Sequence, residues 1–275
     1  MANGYSLHIG LNSVDPNHYD GWSGPLVACE ADAAAMRKIC QGRGFQPKVL
    51  LTALATRPAV LDHLSDLATS MIAGDTLIVS YSGHGGQLPD RNGDEDDGLD
   101  ETWCLFDGQL LDDELYRAWA NFKPGVRIAV FSDSCHSGTV IKELALAHHV
   151  ISRPLGALDP SAGYRIMPPE IQYRTYEANR EFYDDLLQKP APPPEPACTV
   201  LLVSGCQDNQ LSQDGAFNGK FTGALISTWA NGKFKGTYAE FTKAIRKRLP
   251  SSQSPNYLPV GVANPQFTDG EVFSV

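Results

Sequence analysis

A thiol is a useful nucleophile only as a thiolate, and an imidazole within hydrogen-bond reach lets it shed its proton near neutral pH. Two segments supply those parts. His84 stands in Tyr81-Ser82-Gly83-His84-Gly85-Gly86 and Cys135 in Asp133-Ser134-Cys135-His136-Ser137-Gly138, each directly after an apolar run that reads as a buried strand. The chemistry expected of the pair is attack by Cys135 Sγ on a carbonyl carbon, with His84 managing the proton. The backbone N–H groups of Gly85 and Cys135 would hold the oxyanion. Alone, Gly83-His84-Gly85-Gly86 reads as a turn with an incidental histidine, and a single cysteine as a buried structural thiol. Both at matching strand ends favour the catalytic reading. A phosphate loop is excluded as a default because no Lys-Ser/Thr follows the glycines. His136 is adjacent to the thiol, and neighbouring side chains on extended backbone diverge, so His84 is the preferred base.

The elements that must position these residues follow from the hydrophobic pattern. Ser6–Leu11, Pro47–Leu51, Thr76–Ser82, Arg127–Phe131 and Thr199–Ser204 read as strands, mostly continuous apolar runs buried on both faces. Helical spacing covers Leu26–Arg43, Pro58–Ile72 and Asp112–Phe122, then Pro169–Leu187, Phe221–Ala230 and Tyr238–Leu249. Strands separated by helix-length crossovers predict an α/β fold with a doubly wound, mostly parallel sheet and helices on both faces. Functional groups gather beyond the carboxyl ends of such strands, where His84 and Cys135 both fall. The pattern breaks between Val140 and Cys198, a stretch ending in the proline-rich run Lys189–Pro196, and it reads as an insertion within one domain. The expected organisation is a single domain of 1–275, with 1–139 carrying the His/Cys pair, 140–197 as the insertion and 198–275 completing the sheet.

Composition narrows the class. The 275 residues are 42% hydrophobic and 20% charged, ordinary for a globular chain, and no apolar stretch approaches a membrane span. Met1-Ala2-Asn3-Gly4 opens no basic-then-apolar leader. Six cysteines without a Cys-x-x-Cys pair read as reduced thiols rather than disulfides or a zinc site, which points to the cytoplasm. A net charge of −10 argues against nucleic-acid binding. Asp90 to Glu101 holds seven acids against Arg91 alone, a concentration that calls for a local explanation such as a cation. It is not an EF-hand, because Glu95 takes the position where that loop demands glycine.

These residues resemble the metacaspases, specifically the bacterial members called orthocaspases. Ser82-Gly83-His84-Gly85-Gly86 and Asp133-Ser134-Cys135-His136-Ser137-Gly138 carry the likeness, supported by Ser204-Gly205-Cys206-Gln207-Asp208-Asn209-Gln210. The His84–Cys135 separation matches the roughly 50 residues between the same groups in caspases. The Gln-Ala-Cys-x-Gly nucleophile motif of true caspases is absent. The resemblance implies a caspase-like fold and a cysteine endopeptidase cleaving after Arg or Lys. It also implies a primary specificity pocket of Cys29, Asp32, Ser82 and Asp133, where paired carboxylates select a basic side chain. It further implies a calcium site at Asp100, Asp112 and Asp113. Lys142 stands where relatives usually place another acid, so modest activation or none is expected.

The same reading implies protein or peptide substrates, no nucleic acid or membrane partner, and a monomer. Three alternatives stay open at this point: an inactive caspase-like scaffold, a relative with another specificity such as asparagine, and a flavodoxin-like binding module. Among the basic residues of the insertion, Lys142 is tethered by the nucleophile and Arg174 and Arg180 fall in a helix. Arg153 and Lys189 precede prolines, which leaves Arg165 as the most accessible site for self-cleavage.

Overall fold

The computed structural model describes residues 2–91, 98–134, 164–188, 195–205, 214–215, 217–251 and 253–275. A six-stranded sheet is built from β1 (Gly4–Gly10), β2 (Gln46–Leu51), β3 (Thr76–Ser82), β7 (Arg127–Asp133), β8 (Thr199–Ser204) and β9 (Asn256–Gly261), in the order β2-β1-β3-β7-β8-β9. Every pairing is parallel except that of β8 with β9. All seven residues of β3 are buried, as a central strand covered on both faces requires.

Helices cover both faces. α1 (Cys29–Gly42) packs against β1 and β2, α2 (Arg57–Ser70) against α3 (Asp112–Ala120), and α6 (Lys220–Trp229) against α7 (Tyr238–Arg246). α2 starts where the Thr56 hydroxyl accepts the Ala59 N–H, with Pro58 in the first turn, where its missing donor costs nothing. α7 starts on a capping box of Thr237 and Glu240. One core joins Leu7, Ile9, Leu64, Leu77, Val79 and Ile128 on one face of the sheet. The other joins Met36, Ile78, Ala129, Phe131, Phe221 and Phe241. The alternation of Leu77 and Val79 against Ile78 along β3 shows the strand feeding both layers.

Beyond the carboxyl end of β3 the chain makes a second, antiparallel sheet, β4 (Gly85–Pro89), β5 (Leu99–Leu105) and β6 (Gly108–Leu111). Neither this sheet nor β9 is foreseen by the hydrophobic pattern. β4 reads Gly-Gly-Gln-Leu-Pro and β9 contains Pro259, compositions that local propensity assigns to turns. The expected helix Pro169–Leu187 is two, α4 (Pro169–Ala178) and α5 (Arg180–Leu187), broken at Asn179, whose side-chain amide donates to the carbonyls of His18 and Thr175. A last short helix, α8 (Pro265–Thr268), precedes the C-terminal residues. No helix among the described residues is long and apolar enough to cross a membrane.

Candidate active site

The parallel register of β3 and β7 sets Ser82 opposite Asp133, and both lie at the carboxyl edge of the sheet. His84 leaves β3 two residues later and is buried. Its Nε2 lies 3.0 Å from the Gly24 carbonyl, which only accepts, so Nε2 carries the proton in the neutral ring and Nδ1 the lone pair. Nδ1 is buried and makes no hydrogen bond among the described residues. The Trp22 ring lies against the imidazole at 4.8 Å between centroids. Gly24 has φ +50°, and a Cβ there would meet Trp22 at 2.7 Å and the His84 ring at 3.0 Å, so a glycine is needed on both counts. Burial, opposed by the Gly24 carbonyl and reinforced by the charge of Arg165, pushes the His84 pKa down to about 4. At neutral pH it is therefore a free base.

β7 ends on Ser132 and Asp133, Ser134 follows, and all three are buried. Trp103 Nε1 donates to Ser132 Oγ at 3.1 Å, and the hydroxyls of Ser132 and Ser134 are 3.0 Å apart, which fixes the strand end one residue before Cys135. Cys135 itself lies outside the described residues, as do His136, Lys142, His148, His149 and Cys206.

Asp32, Ser82 and Asp133 converge on one guanidinium, that of Arg165 from this same chain, which is wholly buried. Arg165 Nη1 donates to Ser82 Oγ at 2.8 Å and to the Asp133 carbonyl at 3.1 Å, and lies 2.9 Å from Asp133 Oδ2. Nη2 donates to Asp32 Oδ2 at 2.7 Å and to Asp214 Oδ1 at 2.9 Å. Burial works against the charge of Arg165, but Asp133, Cys29 and Asp32 outweigh it and hold its pKa well above the ordinary value. Burial raises the Asp32 pKa, opposed by Arg165 and reinforced by Asp133. The Cys29 thiol, close to Ser82, is pushed up to about 12 by burial, so it lines the site as an inert group. Sequence reasoning makes Arg165 the most accessible basic residue of its segment. The structure does the opposite, because three carboxylates draw the side chain inside.

The backbone of the same segment runs along β4. Gly85 N–H donates to the Arg165 carbonyl at 3.0 Å and Met167 N–H to the Gly85 carbonyl at 2.8 Å, a parallel bridge centred on Ile166. The Ile166 backbone is also close enough to His84 to favour its protonated form. The side chain of Gln172 then clamps the strand, accepting from Gln87 N–H and donating to the Met167 carbonyl, both at 2.8 Å. The Arg165 carbonyl thus sits on Gly85 N–H, its side chain lies among carboxylates, and the following peptide unit lies beside His84.

Residues from the far end of the chain complete the site, and the sequence alone did not reveal them. Asn218 Nδ2 donates to Asp32 Oδ1 at 2.8 Å and Gly219 N–H at 3.1 Å, while Thr222 donates to Asp133 Oδ2 through N–H at 3.0 Å and Oγ1 at 2.8 Å. The amino end of α6, with its unsatisfied N–H groups and positive dipole end, thus orients both carboxylates. The only local signal is the Asp214-Gly215 and Asn218-Gly219 pairs, which by themselves announce turns.

The candidate cation residues are placed differently. Asp100 is buried on β5, and Asp112 and Asp113 open α3, where Asp113 pairs with Arg117 at 2.8 Å. Asp112, Asp113 and Glu101 line one cavity with Trp103 and Trp119. Among the described residues no three His, Cys, Asp or Glu side chains group as a metal site. Residues 94–97 of the acidic loop lie outside the described set.

A mostly parallel sheet with an antiparallel last strand, and an imidazole at the exit of β3, define a caspase-like α/β protein. The caspase domain model of peptidase family C14 matches residues 14–268, and the chain belongs to that family of cysteine peptidases. It is 30% identical over 283 residues to Metacaspase-1A of Aspergillus terreus, covering 90% of this chain and 68% of that protein. To Metacaspase-1 of Emericella nidulans it is 30% identical, covering 89% and 66%. The chain thus spans about two thirds of the fungal metacaspases it matches. Protein GSU0716 from Geobacter sulfurreducens is similar in structure with TM-score 0.89 and 50% identity, over 99% of each chain. Caspase-1 from Spodoptera frugiperda shares the fold at TM-score 0.53 and 10% identity, over 94% of this chain and 86% of that one.

Proposed function

We propose that the protein is a cysteine endopeptidase cleaving proteins and peptides after Arg or Lys. The observation that carries this reading is the guanidinium of Arg165 held by Asp32, Asp133 and Ser82, with its carbonyl on Gly85 N–H. In that pose Cys135 Sγ attacks the carbonyl carbon and its proton passes to His84 Nδ1. Gly85 N–H holds the oxyanion until the C–N bond breaks, and the amine leaves with the proton from His84. Water, deprotonated by the same imidazole, then hydrolyses the thioester. Reduced, buried thiols at Cys29, Cys40, Cys104 and Cys198 suit a reducing, cytoplasmic setting.

The test is hydrolysis of fluorogenic peptides ending in Arg, Lys, Asp or Asn, with and without calcium, beside Cys135→Ala. It is run on the intact chain and on Arg165→Ala, because the chain's own arginine competes for the pocket. Cleavage after Arg and Lys is expected, with none after Asp and at most modest activation by calcium. Asp32→Ala or Asp133→Ala should cost basic substrates about 30-fold or more, the effect of breaking a buried charge pair. Faster cleavage after Asp than after Arg would overturn the reading.

A further inference from the structure

We propose that Asp214 and Gly219 make the pocket selective for arginine over lysine. The inference rests on the reading of this site as a basic-residue pocket and deepens it to one side chain. Asp214 is a third carboxylate, beside Asp32 and Asp133, and its side chain is only 7% exposed. Its Oδ2 accepts Val27 N–H at 2.7 Å, which fixes the carboxylate so that Oδ1 faces the guanidinium. Nη2 has two N–H bonds, and its two acceptors are Asp32 Oδ2 and Asp214 Oδ1. Nη1 serves Ser82 and Asp133 on the other side.

The acceptors therefore stand in two groups, one for each terminal nitrogen of a planar fork. A lysine ammonium is a single nitrogen and reaches one group only, leaving a desolvated carboxylate oxygen on the other side without a donor.

Gly219 supplies the shape. Its φ is −57°, which any residue adopts, so backbone freedom does not explain it. A Cβ built there would lie 2.5 Å from Cζ, Nη1 and Nη2 of Arg165. The missing methyl is the slot that the flat guanidinium fills, with the Gly219 N–H turned to Asp32 at its edge. A lysine tail is narrow at that depth and has no need of the slot. Both features come from the 214–219 segment, while Asp32, Ser82 and Asp133 come from β3, β7 and α1. Attraction for any cation and preference for a guanidinium thus reside in different parts of the chain.

The test uses full-length Arg165→Ala, whose pocket is vacant, with agmatine and cadaverine as guanidinium and ammonium probes read by calorimetry and thermal midpoint. Agmatine should bind about 30-fold or more tighter than cadaverine, the cost of an unpaired charge partner. Adding Asp214→Asn should bring the two probes within about threefold, mainly by weakening agmatine, since the asparagine amide oxygen still accepts Val27 N–H. Gly219→Ala should remove the preference by sterics alone, and carries the test if Asp214→Asn does not fold. Peptides differing only in Arg or Lys should show the same pattern in KM with kcat little changed, because neither residue touches the reacting atoms. Equal binding of both probes to the unmodified pocket, or equal weakening of both by Asp214→Asn, would overturn the proposal. Loss of guanidinium preference in the variants without any peptide cleavage would sink the peptidase reading and leave this one standing.

Discussion

At the scale of single residues, the candidate base is defined by what it does not share. His84 donates its Nε2–H to the Gly24 carbonyl, and its buried Nδ1 makes no hydrogen bond among the described residues, so the ring is both oriented and unprotonated near pH 7. A base in that state accepts a thiol proton without first losing one of its own. His84→Ala should therefore lower peptide hydrolysis by about 10²–10⁴-fold, the usual worth of a positioned base. Cys135→Ala should abolish it, with both variants keeping the native circular dichroism spectrum. Normal turnover by either would remove the assignment. Gly24→Ala should also impair turnover, because the added methyl meets the imidazole and Trp22, and a pH–rate profile would show the altered environment of His84. The glycines around His84 are plain in the sequence, but Gly24 is 60 positions away and only the fold puts it under the ring.

At the scale of elements, the pairing of residues 165–167 with Gly85 of β4 seats this segment beside His84. The Arg165 carbonyl is already on Gly85 N–H, and the Met167 pairing and the Gln172 clamp hold the following residues in place. If the peptidase acts on itself, the cut is expected between Arg165 and Ile166, giving fragments of about 18 and 12 kDa by length. Incubating the active enzyme and sequencing new termini checks this, and a rate per molecule independent of concentration is expected for a segment already seated in its own site. A new terminus at another bond, or an indefinitely intact chain that still cuts peptides, would count against it. The sequence singles out the same arginine by eliminating its rivals on an expectation of exposure, which the structure overturns because the residue is buried. Local pattern carries no term for three carboxylates brought in from residues 32, 133 and 214.

At the scale of the whole molecule, two buried neutral histidines tie stability to pH. His8 pairs through Nδ1 with Ser80 Oγ at 2.8 Å on neighbouring central strands. Burial, with Arg37 adding to it, lowers the His8 pKa to about 3, and His84 stands at about 4. Both lie below the unfolded value near 6.5, so between those limits the unfolded chain binds protons that the folded chain refuses. Stability is then fully present above about pH 6.5 and declines as pH falls toward 4 and 3, by about 2 kcal/mol per histidine at pH 5. Urea denaturation at pH 7 and pH 5 measures this, and His8→Asn should flatten the dependence by about half. An unchanged midpoint between the two pH values would contradict it.

What the sequence determined by itself is the α/β class, the five parallel strands of the sheet within a few residues, and the placement of His84 at a strand exit. Those features are written in continuous apolar runs and nearby glycines, signals that survive without tertiary context. β4 and β9 were not legible because glycine and proline suppress strand propensity, and only their neighbours' hydrogen bonds make them strands. The grouping of Asp32 and Asp133 with Asp214, Asn218, Gly219 and Thr222 was decided by the tertiary structure alone. Parallel β7–β8 pairing returns the chain to the same sheet edge, and the amino end of α6 then faces both carboxylates. The physical reason is distance along the chain. A periodicity of two or 3.6 residues reports which face a side chain takes, whereas contacts between residues 50 to 190 positions apart exist only once the sheet has set its order.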